Sequence, residues 1–526
     1  MSKKVLFIIT CAVFIFHGVS AQLTIDSVSL VVQTGAEVTV TGDISSAKGL
    51  PGFGKFLLQG LDSQSVNMNG NSIPNLEIDN SNGVWLTGDM KVSNSLLFTN
   101  GKFIIRNHNF SLADITSLSG MGTGKFIQTD STGQVFKEIS SNLTSNEIPV
   151  GAGTIYRPVF LTTTGSNNGA KVGVQVLDSA SVHKPPSTTD YLNSNWTITQ
   201  TGISGTLNVD ARYSDPTDIS GTESNLKSYL FNGTDWSSAS GTLNTASNTI
   251  SLPITIASAN ITAMDKFDLL KGKVFLQGAY NSATGLMSDN LRSAGLIPHS
   301  DPYKTSPYNA AFTEVNDAAA DTVNAAVLGF QASQNDNIVD WIFLELRNTA
   351  GSTVVQTRSA LVERDGDIVD VDGKSAVTFN NVDPGNYTIV VRHRNHLGLS
   401  TDPASFTPLL TEKQSTAPLV DFTSSAFLYG GSSAHGVATD GKYVLWGGNA
   451  NMNSKVTYAG ISNDKDYLYI TTLNSNSALV LTNVYSPADL NMDSKVSYNG
   501  ISNDKDFLYN TILGSSAIAQ KIQSLP

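Results

Sequence analysis

Between Leu23 and about Ser145 the chain runs in short apolar pulses, each closed by Asn, Gly, Asp or Ser. Val84-Trp85-Leu86-Thr87-Gly88-Asp89 is followed by Met90-Lys91-Val92-Ser93-Asn94-Ser95, then by Leu96-Leu97-Phe98-Thr99-Asn100-Gly101 and Lys102-Phe103-Ile104-Ile105-Arg106-Asn107. Strand-length pulses at intervals of six or seven residues predict a stacked β-solenoid over 22–145, in which each turn buries its neighbour. An ordinary β-sandwich gives a related pattern.

From 146 to 272 the apolar runs lengthen, as in Tyr156 to Leu161, Lys171 to Leu177 and Asn195 to Thr199, with polar turns such as Asn232-Gly233-Thr234-Asp235 between them. This predicts an antiparallel β-sandwich. A third unit, 273–410, has its strongest strands at Ile338 to Arg347, Thr353 to Arg358 and Tyr387 to Arg394. In the last, Tyr387, Ile389, Val391 and His393 alternate with Thr388, Val390, Arg392 and Arg394, the pattern of a half-buried strand. Asp383-Pro384-Gly385-Asn386 before it is a tight-turn sequence. Together these features look like an immunoglobulin-like or prealbumin-like sandwich. Residues 411–420 read as a linker, and 421–526 form a C-terminal module.

The N-terminus adds an address. Lys3 and Lys4, the apolar run Val5 to Phe16, and Val19 and Ala21 before Gln22 have the order of a secretory signal peptide over 1–21. The apolar run is shorter than the ~20 residues a membrane span needs. Cys11 lacks the flanking residues of a lipid-attachment site. The expectation is a secreted or cell-surface protein with no transmembrane segment in its mature form.

Cys11 is the only cysteine, so the mature chain should hold no disulfide, thiolate zinc site or cysteine nucleophile. Charged residues make up 14% and the formal charge is −12; loss of the leader would remove two further positive charges. An acidic exterior excludes a nucleic-acid partner and suits divalent cations.

The chemistry concentrates in the last 80 or so residues. Asn453–Tyr469 and Asp493–Tyr509 are identical at 13 of 17 positions. Ahead of the shared core stand Asn449-Ala450-Asn451-Met452-Asn453 and Asp489-Leu490-Asn491-Met492-Asp493. Oxygen side chains at loop positions 1, 3 and 5, with Val456 or Val496 at position 8, match the first half of an EF-hand-type calcium loop. Alternate side chains of a tight loop converge on one point, and valine at position 8 lets two loops pair as short strands. The second half departs from that pattern. Gly460 and Gly500 stand where the closing acid belongs, Ser454 and Ser494 replace the usual glycine, and Asn463-Asp464-Lys465-Asp466 and Asn503-Asp504-Lys505-Asp506 arrive about four residues late. An enlarged loop, closed by one of these acids at the start of a helix, follows.

Two such copies at the end of an exported chain resemble dockerin modules, and more closely the dockerin-like ends of hemagglutinin-like secreted proteins of Gram-negative bacteria. The N-terminal stretch resembles those proteins in composition. The resemblance implies calcium held by Asp489, Asn491, Asp493 and Asp504 or Asp506 in copy two. In copy one it implies Asn449, Asn451, Asn453 and Asp464 or Asp466. It also implies an adhesin-like, non-catalytic binding protein with an extracellular glycan or protein ligand, and a cohesin-like or surface partner for the module. The alternative is a secreted polysaccharide-directed enzyme, a glycoside hydrolase or lyase, carrying a docking module.

Two other constellations read as structural. Asp365-Gly366-Asp367-Ile368-Val369-Asp370-Val371-Asp372-Gly373 is expected to be a hairpin with Asp370 and Asp372 on its wet face, although a further calcium site is a second possibility. His393 and His396, three apart on one strand, should face opposite sides at a surface strand end. Trp341, in an apolar strand, should be core.

Overall fold

The computed structural model describes residues 22–238, 240–317, 321–329, 334–424 and 427–526. The signal-peptide expectation falls on residues outside these. The chain is mainly β, with several separate sheets and short helices. Contacts divide it into two units. The first comprises residues up to Ser181 with Leu192–Ile219 and Ser240–Thr262; the second comprises Val182–Tyr191, Ser220–Ala239 and Ala263–Pro526.

The first unit opens as a β-solenoid. Leu23–Ile25, Ile44–Ser46, Gln64–Asn67, Val84–Leu86, Phe103–Ile104, Ile127–Gln128 and Val150–Ala152 pair in parallel, each with the next. A second parallel stack runs through Glu37–Val40, Lys55–Leu58, Ser72–Asp79, Met90–Asn100, Phe110–Leu112 and Val135–Ile139. Aligned positions repeat one side-chain type, so Phe56, Leu76 and Leu96 form one buried ladder and Leu58, Ile78 and Phe98 another. Corners are tight: at Gly101 (φ +78°) a Cβ would lie 1.8 Å from the Asn80 carbonyl oxygen.

The stack ends by changing direction. Val135–Ile139 pairs antiparallel with Ala170–Leu177, which pairs antiparallel with Asn195–Thr201. Antiparallel strands thus cover an edge that would otherwise offer unpaired amides. The expected break at 145/146 is therefore not a packing boundary, because Ala170–Leu177 extends the solenoid's own sheet. A separate five-stranded antiparallel sheet orders Asn146–Ile148, Val159–Thr163, Leu207–Arg212, Thr249–Ile254 and Thr242–Asn244. Nearby, the fully buried Arg157 clamps Asp218 with two bonds, Nε at 2.8 Å and Nη2 at 2.5 Å.

The second unit is built on a sheet centred on Ile338–Arg347, flanked by Val354–Glu363 and Thr388–His393. Asp367–Val369, Phe267–Lys273 and Val377–Asn380 continue it on one side and His396–Ser400 on the other. Trp341 is fully buried in its core, as expected. Three readings are corrected. Phe267–Lys273 crosses the expected boundary at 272/273. The supposed linker enters the sheet, since Leu419–Asp421 pairs in parallel with Phe267–Lys273. Thr388–His393 is buried on both faces, with Thr388 and Val390 as inaccessible as Ile389 and Val391. Alternation identified the strand, but packing covers both of its faces, so the polar one is hidden too. No helix among the described residues is long and apolar enough to cross a membrane.

Candidate metal centre

The two repeats fold into each other. In each copy a loop leads through a short strand to a helix and then to a second short strand. Lys455–Thr457 of copy one pairs with Gln520–Ile522 at the end of copy two, and Lys495–Ser497 of copy two pairs with Val480–Thr482 at the end of copy one. The expected pairing of Val456 with Val496 is therefore replaced by an exchange. Side chains follow it: Val456 shares a core with Leu508 and Ile512, and Val496 shares one with Leu468 and Leu473. Tyr458 meets Tyr509 and Tyr469 meets Tyr498, both at 4.8 Å between ring centres.

Each loop closes on the first acid of its Asn-Asp-Lys-Asp segment. In copy two, Asp504 accepts from the Leu490 amide (2.7 Å) and the Ser497 amide (2.8 Å). In copy one, Asp464 accepts from Thr457 (2.8 Å) and Asn451 (3.4 Å). Both carboxylates are buried. Asp466 and Asp506 are not brought to the loops, because residues two apart on a helix project to nearly opposite sides. They complete the helix caps instead. Asn463 Oδ1 accepts from the Asp466 amide and Asn503 Oδ1 from the Asp506 amide, each at 2.8 Å. Lys465 and Lys505 pair with these outer acids at 2.8 Å.

The front half of copy two gathers Asp489, Asn491 and Asp493 by bonds within the loop. Asp489 accepts from the amides of Asp493 and Ser494, both at 3.0 Å. Asn491 Oδ1 accepts from the Asp493 amide at 3.2 Å, and its Nδ2 donates to the Ser502 carbonyl at 2.7 Å. In copy one Asn449 Nδ2 donates to the Asn453 carbonyl (2.8 Å), while its buried Oδ1 has no hydrogen-bond partner. Asn451 Nδ2 and Asn453 Nδ2 both donate to the Ser462 carbonyl, at 2.7 and 3.4 Å.

Electrostatics set the two loops apart from ordinary turns. Burial pushes Asp464 and Asp489 up to about 7, with Asp493 adding to the shift at Asp489 and Arg394 opposing it. Asp504 is driven well above the usual carboxylate range by burial and then by Asp489. Side-chain and carbonyl oxygens form the donor set, which suits a hard cation, and the orphaned Asn449 Oδ1 has a lone pair free to donate to one. The carboxylate oxygens of Asp489, Asp493 and Asp504 do not all lie within 4.8 Å of one another.

The sequence reading missed the groups that hold the second loop. Arg394 is fully buried: its Nε donates to Asp340 (2.9 Å), its Nη1 to the Ser486 carbonyl, and its guanidinium lies 4.5 Å from the Tyr485 ring. Asn395 Nδ2 donates to the Asp489 carbonyl at 2.6 Å. His393 and His396, expected on opposite faces of a surface strand end, are buried and in contact, Nδ1 to Nδ1 at 3.0 Å. The reason is a two-residue turn at Arg394-Asn395, which folds the presumed strand into a hairpin with His393 opposite His396. Asn395 before the apolar Leu397-Gly398-Leu399 was the available signal.

No protein-family model, curated protein or solved structure matches the chain.

Proposed function

We propose that this chain is an exported, non-catalytic surface or extracellular binding protein of the adhesin type, whose C-terminal repeats form a calcium-stabilised interaction module. One observation carries the reading: the reciprocal repeats bury Asp464, Asp489 and Asp504 in oxygen-lined loops where ionisation is unfavourable without a cation. Calcium would supply the positive charge that lets these carboxylates ionise while buried. Asp489, Asn491, Asp493 and Asp504 would hold it in copy two, and Asn449, Asn451, Asn453 and Asp464 in copy one. The dockerin-like and hemagglutinin-like affinities of the module, and the immunoglobulin-like character of the sheet before it, belong to the same proposal.

A cleft of about 490 Å³ in the second unit is a place for the ligand. Its wall sets amide and hydroxyl groups of Ser187, Thr189, Asn316, Gln356, Asn380 and Asn381 beside apolar surface from Val355 and Val382, which suits the hydroxyl groups and the apolar ring faces of a glycan. Arg358 in the wall is already engaged by Asp321 and Asp370. A glycan array probed with the full chain, with calcium and with chelator, tests the reading. Calcium-dependent retention on defined glycans is expected; retention indifferent to calcium separates the module from ligand binding.

One observation favours the polysaccharide-directed enzyme. Asp317 lines the cleft, and Glu314, pushed up to about 7 by burial, shares Lys304 with it at 3.5 and 3.6 Å. A carboxyl protonated near neutrality beside a cleft is the acid such chemistry needs. Release of reducing ends from a polysaccharide panel, lost in Glu314→Gln, would establish that activity in place of simple binding.

A further inference from the structure

We propose a separate calcium site at the turn between Val354–Glu363 and Asp367–Val369, formed by Glu363, Asp365 and Asp367. One carboxylate oxygen from each of the three lies within 4.8 Å of the others. They stand at alternate positions of Glu363-Arg364-Asp365-Gly366-Asp367, so a tight turn aims all three at one point. Gly366 makes that turn, with φ +96° and its amide donating to the Glu363 carbonyl at 2.9 Å.

The second observation is Glu363 itself. The residue is 6% exposed at the end of a central strand opposite Ile338, and its carboxylate receives no hydrogen bond or ion pair from any described residue. Its companions are differently placed: Asp365 Oδ1 accepts from the Asp367 amide (3.2 Å), and Asp367 Oδ1 pairs with Lys273 Nζ (2.7 Å). A buried carboxylate without a donor is costly, and it persists where something else compensates it. Lys273 is one positive charge against three carboxylates, with Asp336 adding a fourth negative charge nearby. Three carboxylate oxygens on a compact, partly open turn leave room for water and for the six to eight oxygens that calcium takes. Magnesium demands a near-ideal octahedron and gives up its waters reluctantly. The cation is therefore calcium, at a site distinct from the two C-terminal loops.

The test is a calcium titration of the full chain by calorimetry, repeated on Glu363→Gln and Asp365→Asn. Each variant is expected to lose one equivalent relative to the wild type, a difference that does not depend on how many ions the C-terminal loops take. In chelator, Glu363→Gln should melt no lower than the wild type, because it removes a carboxyl crowded by those of Asp365 and Asp367. Asp365→Asn keeps the oxygen that accepts from the Asp367 amide, so it reports on the site even where the first variant folds poorly. Equal calcium stoichiometry and affinity in the wild type and both variants would overturn the proposal, as would an equal response to magnesium.

Discussion

Asp504 and Asp506 are chemically identical and two positions apart, and burial alone gives them different work. Asp504 closes the loop from inside, while Asp506 caps a helix outside it. Asp504→Asn should therefore abolish most of the calcium-dependent rise in melting temperature and Asp506→Asn little of it, read by thermal scans with calcium and with chelator. The two copies should also differ. Copy two offers Asp489 and Asp493 where copy one has Asn449 and Asn453, and calcium affinity follows the number of charged ligands. A two-site titration should place the tighter site in copy two, and Asp489→Asn with Asp493→Asn should remove it first.

The histidine pair makes a second residue-scale prediction. The Gly278 amide lies 3.1 Å from His396 Nε2, which makes that nitrogen an acceptor and leaves Nδ1–H to donate to Asn395 Oδ1 at 2.7 Å, with His393 Nδ1 at 3.0 Å beside it. His393 Nε2–H then donates to Asp340, which is held at about 2 against its burial by Arg394 and the hydrogen bond from His393. Burial lowers both histidines below their ordinary range. The histidine pair therefore binds more protons in the unfolded chain below about pH 6.5 and takes stability away as pH drops through that value, whereas Asp464, Asp489 and Glu314, pushed up to about 7, bind more protons in the native chain and act the other way. Measured against the wild type over about pH 6.5 to 5, His396→Gln should lose less melting temperature or gain more of it, and the difference is the histidine pair's share.

At the scale of elements, the exchange of strands makes the repeats interdependent. Val456 packs with Leu508 across copies, whereas Val456 and Leu468 of the same copy lie in different cores. Leu508→Ala should cost about 2–5 kcal/mol. In double-mutant cycles Val456→Ala should couple to Leu508→Ala and be nearly additive with Leu468→Ala. The repeat itself and the oxygen-bearing positions of its loops were legible in the sequence, because identity at fixed spacing survives without any knowledge of packing. The exchange was not legible: two copies with the same apolar pattern satisfy pairing within a copy and between copies equally well on paper. The hairpin at Arg394-Asn395 was hidden for a similar reason. Alternation continues through a two-residue turn, so His393 and His396 read as one strand. The solenoid was legible from its short apolar pulses every six or seven residues, although the inward ladder, in which Phe56 pairs with Leu76, was not.

At the scale of the whole molecule, buried charge falls into two kinds, held and not held. In the first unit Arg157 and Asp218 are both fully buried and bidentate. Asp218→Ala leaves the buried guanidinium only Asp178 as a carboxylate partner and should cost about 3 kcal/mol, with no change in the calcium response, as calorimetry with and without the ion would show. In the second unit the buried carboxylates of the repeats have amides around them but too little positive charge, and that asymmetry is the ground for a calcium-dependent module. The most direct test is a calcium titration of the full chain, paired with melting curves, for the wild type and for Asp464→Asn with Asp504→Asn. The account predicts heat of binding and a raised melting temperature for the wild type, with the equivalents belonging to the two loops lost in the double variant. A wild type and a double variant with identical binding heats and identical melting in calcium and in chelator would contradict it.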